Sequence, residues 1–382
     1  MNKKILFFTT PAYGHIIPVA PIMKELIKRG CELTCYSSSR FRKEIISLGA
    51  KYIEYPFDAD SFVEQSSKIT HFDLALMVIE AGHNYFYDIL EKITPEKYNL
   101  ILYDSLCFIA KHIAFKLGIK SICFGTTFAI NNFVMLSSGM IWTNIKMMLK
   151  NLKTIKKIKN IENEFRGRNA LKKFSLSDFV LNKGTKTIIL VPKEIQPFAS
   201  TFPMDVEFVG TTIKDRVQNN FFDEYDHNDE VYDYYISLGT VFHGNQKLIE
   251  NIVYELALEN RKILVSTGSD NVVFDKPNVI SKPRVNQVKV LPKVKYFINH
   301  GGLNSVLESI YFGIPQFCFP QQMEQKANSR LIKRLKLGSY SIDYQKDKLK
   351  KINYSQIRLN YYSKILRETD GKNNAVNIIM NI

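Results

Sequence analysis

FINHGGLNSVLES, residues 297–309, is the most informative stretch of this 382-residue chain. An apolar run ends at His300, two glycines follow, and a helical pattern opens near Asn304. Gly301 and Gly302 have no side chain to keep a ligand from the backbone. A helix start presents unpaired N–H groups and partial positive charge, which makes an anion site, most simply for a phosphate. Asn304 and Ser305 can cap the helix or donate to phosphate oxygens. Glu308, four residues after Asn304, shares its face and can accept from sugar hydroxyls. Glycine pairs at such turns also occur for packing alone, so spacing leaves both uses open. The stretch is neither a GxGxxG fingerprint nor a Walker A loop, and the chain contains neither. Dinucleotide oxidoreductases and P-loop NTPases therefore drop out as leading readings.

Outward from this turn, short apolar runs alternate with amphipathic ones. YYISLGT, KILVSTG, NVISK, YFINH and PQFCFP read as strands, with helices over 247–258 and 304–311. The first 125 residues show the same rhythm. KILFFTT, CELTCYS, KYIEYP, LILYD and SICFG read as strands, with helices over 18–28, 41–48 and 109–117. Strands alternating with helices mean parallel sheets covered on both faces, so the expected class is α/β with two doubly wound domains. The expected division is an N-terminal domain over 1–210, a polar linker over 211–229, a second domain over 230–352, and a helical segment over 353–382 that crosses back to the first domain.

The apolar content of 45% and charged content of 23% fit a globular chain and exclude a disordered or collagen-like one. No run approaches a spanning helix, and the apolar patch after Lys3 and Lys4 is too short for a secretory signal, so the reading is a soluble, cytoplasmic protein. Five cysteines, an odd number without a CxxC, sit inside apolar runs as reduced, buried thiols do. The formal charge of +15 admits nucleic acid, an anionic membrane or a phosphorylated small molecule as partner. More than half of the excess lies in 146–173, with ten Lys/Arg against two Glu. Lys146, Lys150, Lys153 and Lys157 share one helical face, opposite Met148, Leu152 and Ile155. That stripe is either a solvated face over a packed one or a peripheral contact with anionic membrane. No nucleic-acid reader accompanies it.

Two residues are candidates for acid–base work. His15 lies in TTPAYGHIIPVAP between the first strand and a helix that Pro18 would open. At the carboxyl end of a strand in an open sheet it stands where ligands bind, and the helix start favours the neutral imidazole, a base. Asp104 ends LILYD at the same edge. It either orients His15 or caps the helix beginning near Leu106. Asp58-Ala59-Asp60 is a DxD, a metal signature of one transferase class, but the tripeptide is common and sits in a loop. Glu324-Gln325 follows PQFCFP and reads alone as a polar turn; beside a phosphate site it could read hydroxyls.

These residues resemble the family 1 glycosyltransferases of the GT-B fold, within them the bacterial macrolide/flavonoid type, the YjiC-like UDP-glucosyltransferases. The matching stretches, in order, are PAYGHIIPVAPIMKELIKRG, YISLGT, KPRVNQVKVLPKVKYFINHGGLNSVLES and GIPQFCFPQQMEQKANSRLIK. The resemblance implies two Rossmann-like domains facing a central cleft and an inverting, metal-independent transfer of a hexose, glucose above all, from a UDP-sugar to a hydroxyl. It implies His15 as general base with Asp104 as its partner. Thr240, His300, Gly302, Asn304 and Ser305 would hold the diphosphate, Glu308 the ribose, and Glu324 with Gln325 the sugar. Gly14, Gly239, Gly301, Val285 and Gln287 complete the donor set. Where the family stacks an aromatic residue on uracil, this chain has Arg284, whose guanidinium can also stack and which leaves dTDP open beside UDP. Phe124, Phe128 and Phe133 mark an aromatic region suited to a small, hydrophobic, hydroxylated acceptor. A membrane glycolipid as acceptor, or a non-catalytic sugar-nucleotide or glycan-binding protein on the same fold, are the alternatives.

Overall fold

The computed structural model describes residues 2–65, 69–94, 97–137, 146, 148–169, 182–219, 230–239, 246–268, 272–345, 349 and 352–382. They form two compact units. Residues 1–212 and 370–382 make the first, and residues 213–369 the second. The C-terminal segment 353–382 is thus divided. The helix Gln356–Glu368 belongs to the second unit, and Gly371–Met380 returns to the first.

The first unit carries seven parallel strands: β1 (Lys4–Phe8), β2 (Glu32–Ser37), β3 (Lys51–Glu54), β4 (Leu100–Asp104), β5 (Ser121–Gly125), β6 (Lys186–Ile189) and β7 (Val206–Phe208), in the order β3-β2-β1-β4-β5-β6-β7. The inner strands are apolar throughout because helices cover both faces; in β1, Ile5, Leu6, Phe7 and Phe8 are all buried. The second unit has β8 (Tyr232–Ser237), β9 (Ile263–Ser266), β10 (Val279–Lys282), β11 (Val294–Asn299), β12 (Gln316–Cys318) and β13 (Gly338–Tyr340), in the order β10-β9-β8-β11-β12-β13. Each sheet reverses its winding once, between β1 and β4 in the first and between β8 and β11 in the second. Ligands of open α/β sheets bind at the carboxyl ends of the strands flanking such a reversal.

Several elements differ from the sequence reading. The first helix runs Tyr13–Lys28 and contains both Pro18 and Pro21, so His15 lies in its first turn rather than ahead of it. Each proline withholds one intrahelical bond, and the Thr212 hydroxyl donates to the Pro18 carbonyl at 2.7 Å. The basic stretch is not one continuous helix. A turn at Asn151 separates Lys146 and Lys150 from the helix Leu152–Arg168. Leu152 is exposed, whereas Ile158, Glu162, Phe165 and Arg166 face inward. The expected linker begins with a short helix, Ile213–Gln218. Strands β6, β7 and β13 are only three or four residues long, too short to show a period.

The last helix docks on the first. Val376 and Ile379 are buried, and Arg29 donates to Asn377 and Asn373, both at 2.8 Å. Gly371 lies against the Gly210 and Thr211 carbonyls, where an added Cβ would come within 2.5 Å of each oxygen.

Candidate active site

The reversal in the first unit is occupied by an imidazole and a carboxylate. β4 delivers Asp104 at its last position, and the first turn of Tyr13–Lys28 delivers His15. His15 Nδ1 lies 2.8 Å from Asp104 Oδ2 and 2.9 Å from Thr126 Oγ1. Asp104 Oδ1 accepts from Thr10 Oγ1 at 2.7 Å and from the Leu106 amide at 3.0 Å. One Asp104 oxygen engages His15 and the other closes the turn at Leu106; the expected helix cap is not formed, because the helix starts only at Phe108, from Cys107 and without a side-chain cap. Burial opposes ionisation of Asp104. The His15 ring, the Leu106 amide and the Thr10 hydroxyl outweigh it and hold the carboxyl below its ordinary pKa. A bare Nδ1 would set lone pair against carboxylate lone pair, so the proton belongs on Nδ1 and Nε2 is the basic nitrogen. Asp104 is buried, while the His15 side chain is 20% exposed. That combination suits a base that must meet a substrate proton.

The reversal in the second unit holds the glycine turn. Asn299, fully buried at the end of β11, accepts the Gly301 amide at 2.7 Å and donates to Gln316 Oε1 at 3.1 Å. Asn328 donates to the Gly301 carbonyl at 2.9 Å, so the turn is pinned from both sides. Gly301 has φ +80°, and a Cβ there would lie 2.6 Å from Ser329 Oγ. A Cβ on Gly302 would lie 2.4 Å from His300 Nε2, and one on Gly239 would lie 3.1 Å from His300 Cε1. The glycines therefore make room for the His300 ring as well as for any ligand. Burial pushes the His300 imidazole down to about 4, with the Ser237 backbone offsetting only part, so the ring is neutral at pH 7. Its Nδ1 is buried without a hydrogen-bond partner among the described residues.

The helix Leu303–Phe312 starts from Gly302 with no side-chain cap, leaving its first-turn amides and dipole directed at the turn. Ser305 Oγ accepts from Gln287 Nε2 at 3.2 Å, so its own hydroxyl hydrogen can be directed to an anion. Asn304 is half-buried on the same first turn. Glu308 is buried, with one oxygen on Arg216 and the other on Gln287.

Other sequence-derived candidates fall elsewhere. Phe124 is core, fully buried in β5 against Phe7, and offers no face to an acceptor. Phe128 is buried just after β5, and Phe133 is 58% exposed on the helix Asn132–Ser137. The Val285 side chain packs with Val290 and Phe297, leaving only its backbone for a nucleobase. Arg284 is half-buried after β10, and Gln287 opens a short helix. Gln325 is buried, and its Oε1 accepts the Gln321 and Gln322 amides at 2.8 and 3.0 Å. It closes the start of the helix Met323–Leu335, so a sugar could engage only its Nε2 side. Glu324 accepts from Asn328 at 3.3 Å. Gly14 is exposed beside His15, and Thr240 lies outside the described residues.

Sequence reasoning missed Thr10, Thr126, Asn299, Asn328 and Arg216. The two threonines stand at the carboxyl ends of β1 and β5, a position that could have flagged them. Arg216 meets Glu308 across 92 positions and carries no local signal. The DxD carboxylates serve the fold, Asp58 accepting the Ser61 amide at 3.1 Å and Asp60 the Ser38 hydroxyl at 2.8 Å. Among the described residues, one group has metal-type ligands close together, His83, His112 and Glu162. Arg166 Nε donates to Glu162 at 2.6 Å and balances its charge. Lys157 pairs with Glu80 at 2.9 Å, while Lys146, Lys150 and Lys153 are exposed. No helix among the described residues is long and apolar enough to cross a membrane.

In sequence and in fold the chain is similar to known proteins. A family model described as UDP-glucoronosyl and UDP-glucosyl transferase matches residues 104–347, well over half of the chain. The uncharacterized UDP-glucosyltransferase YojK of Bacillus subtilis is 28% identical over 87% of this chain and 86% of its own length. The NDP-glycosyltransferase YjiC of Bacillus licheniformis is 25% identical over 89% and 85%. In fold, the chain is similar to the kitacinnamycin glycotransferase (TM-score 0.84, 19% identity, covering 100% of this chain and 99% of that one). It is also similar to the Streptomyces sp. SF2575 glycosyltransferase SsfS6 complexed with thymidine diphosphate (TM-score 0.65, 14% identity, 100% of each chain).

Proposed function

The chain belongs to the UDP-glucoronosyl and UDP-glucosyl transferase family, and on that premise we propose that it moves a hexose, glucose first, from a UDP-sugar to a hydroxyl of an aromatic or polyketide-like small molecule, with inversion and without a metal. It is a glycosyltransferase. The finer reading is supported by one observation: at its own winding reversal each sheet places polar groups, a hydrogen-bonded imidazole–carboxylate pair in the first and a glycine turn before an uncapped helix start in the second. His15 Nε2 removes the acceptor hydroxyl proton, Asp104 stabilises the imidazolium that forms, and the acceptor oxygen attacks the anomeric carbon. The glycosidic bond to the diphosphate breaks as the new bond forms, so one displacement inverts the configuration.

Negative charge grows on the departing diphosphate. The first-turn amides of Leu303–Phe312, the Ser305 hydroxyl and the His300 ring are the groups that receive it. This electrostatic provision is the reason a metal is not invoked. Glu308 meets the ribose, and residues 284–287 the base. UDP is the nucleotide suggested by the names of the sequence relatives, while the thymidine diphosphate bound by SsfS6 keeps dTDP-sugars in the panel. The acceptor class is suggested by the kitacinnamycin named for one structural neighbour and by the exposed Phe133.

The test combines a thermal-shift panel of UDP, UDP-glucose, UDP-N-acetylglucosamine and dTDP-glucose in EDTA with product analysis by NMR. Stabilisation by one nucleotide family and a β-linked product from an α-linked donor are expected. His15→Ala should lose turnover and keep UDP binding. A folded sample that none of the four stabilises would remove the donor site.

A further inference from the structure

Glu308 is a buried carboxylate whose geometry is set by residues far away in sequence. Arg216 Nη2 holds Oε1 and Gln287 Nε2 holds Oε2. Gln287 spends its other amide hydrogen on Ser305 Oγ. The Arg216 side chain is itself only 9% exposed, so this ion pair is shielded from water and salt. Three elements meet in it: the helices Ile213–Gln218, Gln287–Val290 and Leu303–Phe312.

A glutamate carboxylate turns easily about its last torsion. To accept two hydroxyls of a ribose 2′,3′-diol at once, its plane must be fixed. A guanidinium on one oxygen helps to fix that plane, and the amide on the other oxygen defines which lone pairs stay available to a ligand. Neutralising the charge alone could be done by a lysine. The planar guanidinium meets Oε1 through Nη2 alone, so the carboxylate plane is fixed jointly by that bond and by the Gln287 amide on Oε2.

Resting on the reading of Glu308 as the ribose acceptor, we infer that Arg216 makes the enzyme prefer ribonucleotide over 2′-deoxyribonucleotide donors. It is a positioning residue that acts through Glu308. Base identity and ribose identity are then set by different groups, residues 284–287 for the first and the Arg216–Glu308 pair for the second. If Arg216 served only to stabilise the fold, its loss would weaken all nucleotides alike.

UDP and 2′-deoxy-UDP differ by one hydroxyl, and calorimetric titration of both separates the cases. The wild type should favour UDP by about 10-fold or more, the worth of one charge-assisted hydrogen bond. Arg216→Met should bring the ratio below about 3, because UDP loses more than 2′-deoxy-UDP, which has only the 3′ contact to lose. Arg216→Lys, which keeps the charge without the planar guanidinium, should fall between. Equal losses for both nucleotides, or an unchanged ratio in a folded Arg216→Met, would overturn the inference. Should that variant prove too unstable to titrate, Arg216→Gln decides by the same criterion. Glu308→Gln tests the premise separately. If it flattens the ratio and the Arg216 variants do not, Arg216 fails and the ribose reading stands. If Glu308→Gln keeps the wild-type ratio, or the wild type shows no preference, the ribose reading fails and takes the inference with it.

Discussion

Replacing Asp104 by asparagine should harm catalysis more than replacing it by alanine. Asparagine is nearly isosteric with aspartate, but its two ends are not equivalent. The Leu106 amide, 3.0 Å from Oδ1, is a backbone donor that cannot turn away. It requires the asparagine oxygen on its side, which puts the NH2 group against His15 Nδ1, now 2.8 Å from Oδ2. Facing a donor, Nδ1 must give up its hydrogen, and the proton moves to Nε2, the atom assigned as base. Recovering the active tautomer means flipping the amide, which breaks the bond to Leu106 and sets donor against donor. At ~1–3 kcal/mol for each of two spoiled bonds, those that Leu106 and Thr10 give to Oδ1, the cost is about 4 kcal/mol, or roughly 10³-fold in kcat. In Asp104→Ala no donor faces the ring, and Nδ1–H can still point to Thr126 Oγ1 at 2.9 Å. The tautomer survives, and only orientation and charge stabilisation are lost, about 10- to 100-fold. The assay is steady-state UDP release, with UDP affinity and melting temperature of each variant measured alongside. An Asp104→Asn enzyme that is folded and as active as Asp104→Ala would refute the tautomer argument, and with it His15 as base.

Gly302→Ala should lower UDP affinity at least 10-fold and stability by ~1–3 kcal/mol, because its Cβ would sit 2.4 Å from His300 Nε2; titration and urea unfolding check both, and unaltered UDP binding would count against the turn as an anion site. UDP binding should take up protons near pH 5–6, since a diphosphate raises the pKa of a His300 that stands at about 4 without it. Affinity should therefore strengthen as pH falls from 7 toward 5, and the effect should vanish in His300→Asn, as calorimetry in two buffers can show. In the unliganded protein the same lowered pKa works against folding, weakening it as pH falls below the ordinary histidine value. Glu162→Gln should destabilise by about 3–5 kcal/mol by removing the buried carboxylate that pairs with Arg166. Burial disfavours the Glu162 carboxylate, but His112 and His83 hold its pKa far below the ordinary value, so its contribution is complete above about pH 4.5 and fades as pH drops toward the folded pKa. The gap between wild type and Glu162→Gln in denaturant titrations should narrow accordingly.

The fold was legible wherever a strand was long and apolar and its turn carried glycine, as at β11 and residues 300–304. It was illegible where elements were short or where local rules were overridden. Pro18 argued for a helix starting later, yet residues 13–17 are helical because the His15 and Ile16 amides already bond to Ala12. Lys146 to Lys157 had the right spacing for one helix, and Asn151 breaks it. For the site, residues beside a strand end could be named from position alone, as His15 and Asp104 were, while the part given to His300 came from the family resemblance. Phe124 was misassigned for the converse reason. The strand's alternation decides which side chain reaches an edge, and Phe124 points at Phe7 inside the sheet's covering layer. Asn299, Asn328 and Arg216 act through contacts that join distant positions, and one sequence holds no trace of them.

The return of the chain at Asp370 has a consequence for how the protein is made. The first unit lacks its last helix until residues 371–380 leave the ribosome, because residues 213–369 are translated in between. At ~5–20 residues per second that interval lasts about 8–30 s. Throughout it, the surface of Tyr13–Lys28 that Val376 and Ile379 will cover stays open. Yield in a cell should therefore depend on chaperone capacity during synthesis more than on the stability of the finished molecule, and a tag or truncation that hinders Gly371 from settling against Gly210 and Thr211 should prolong the exposure.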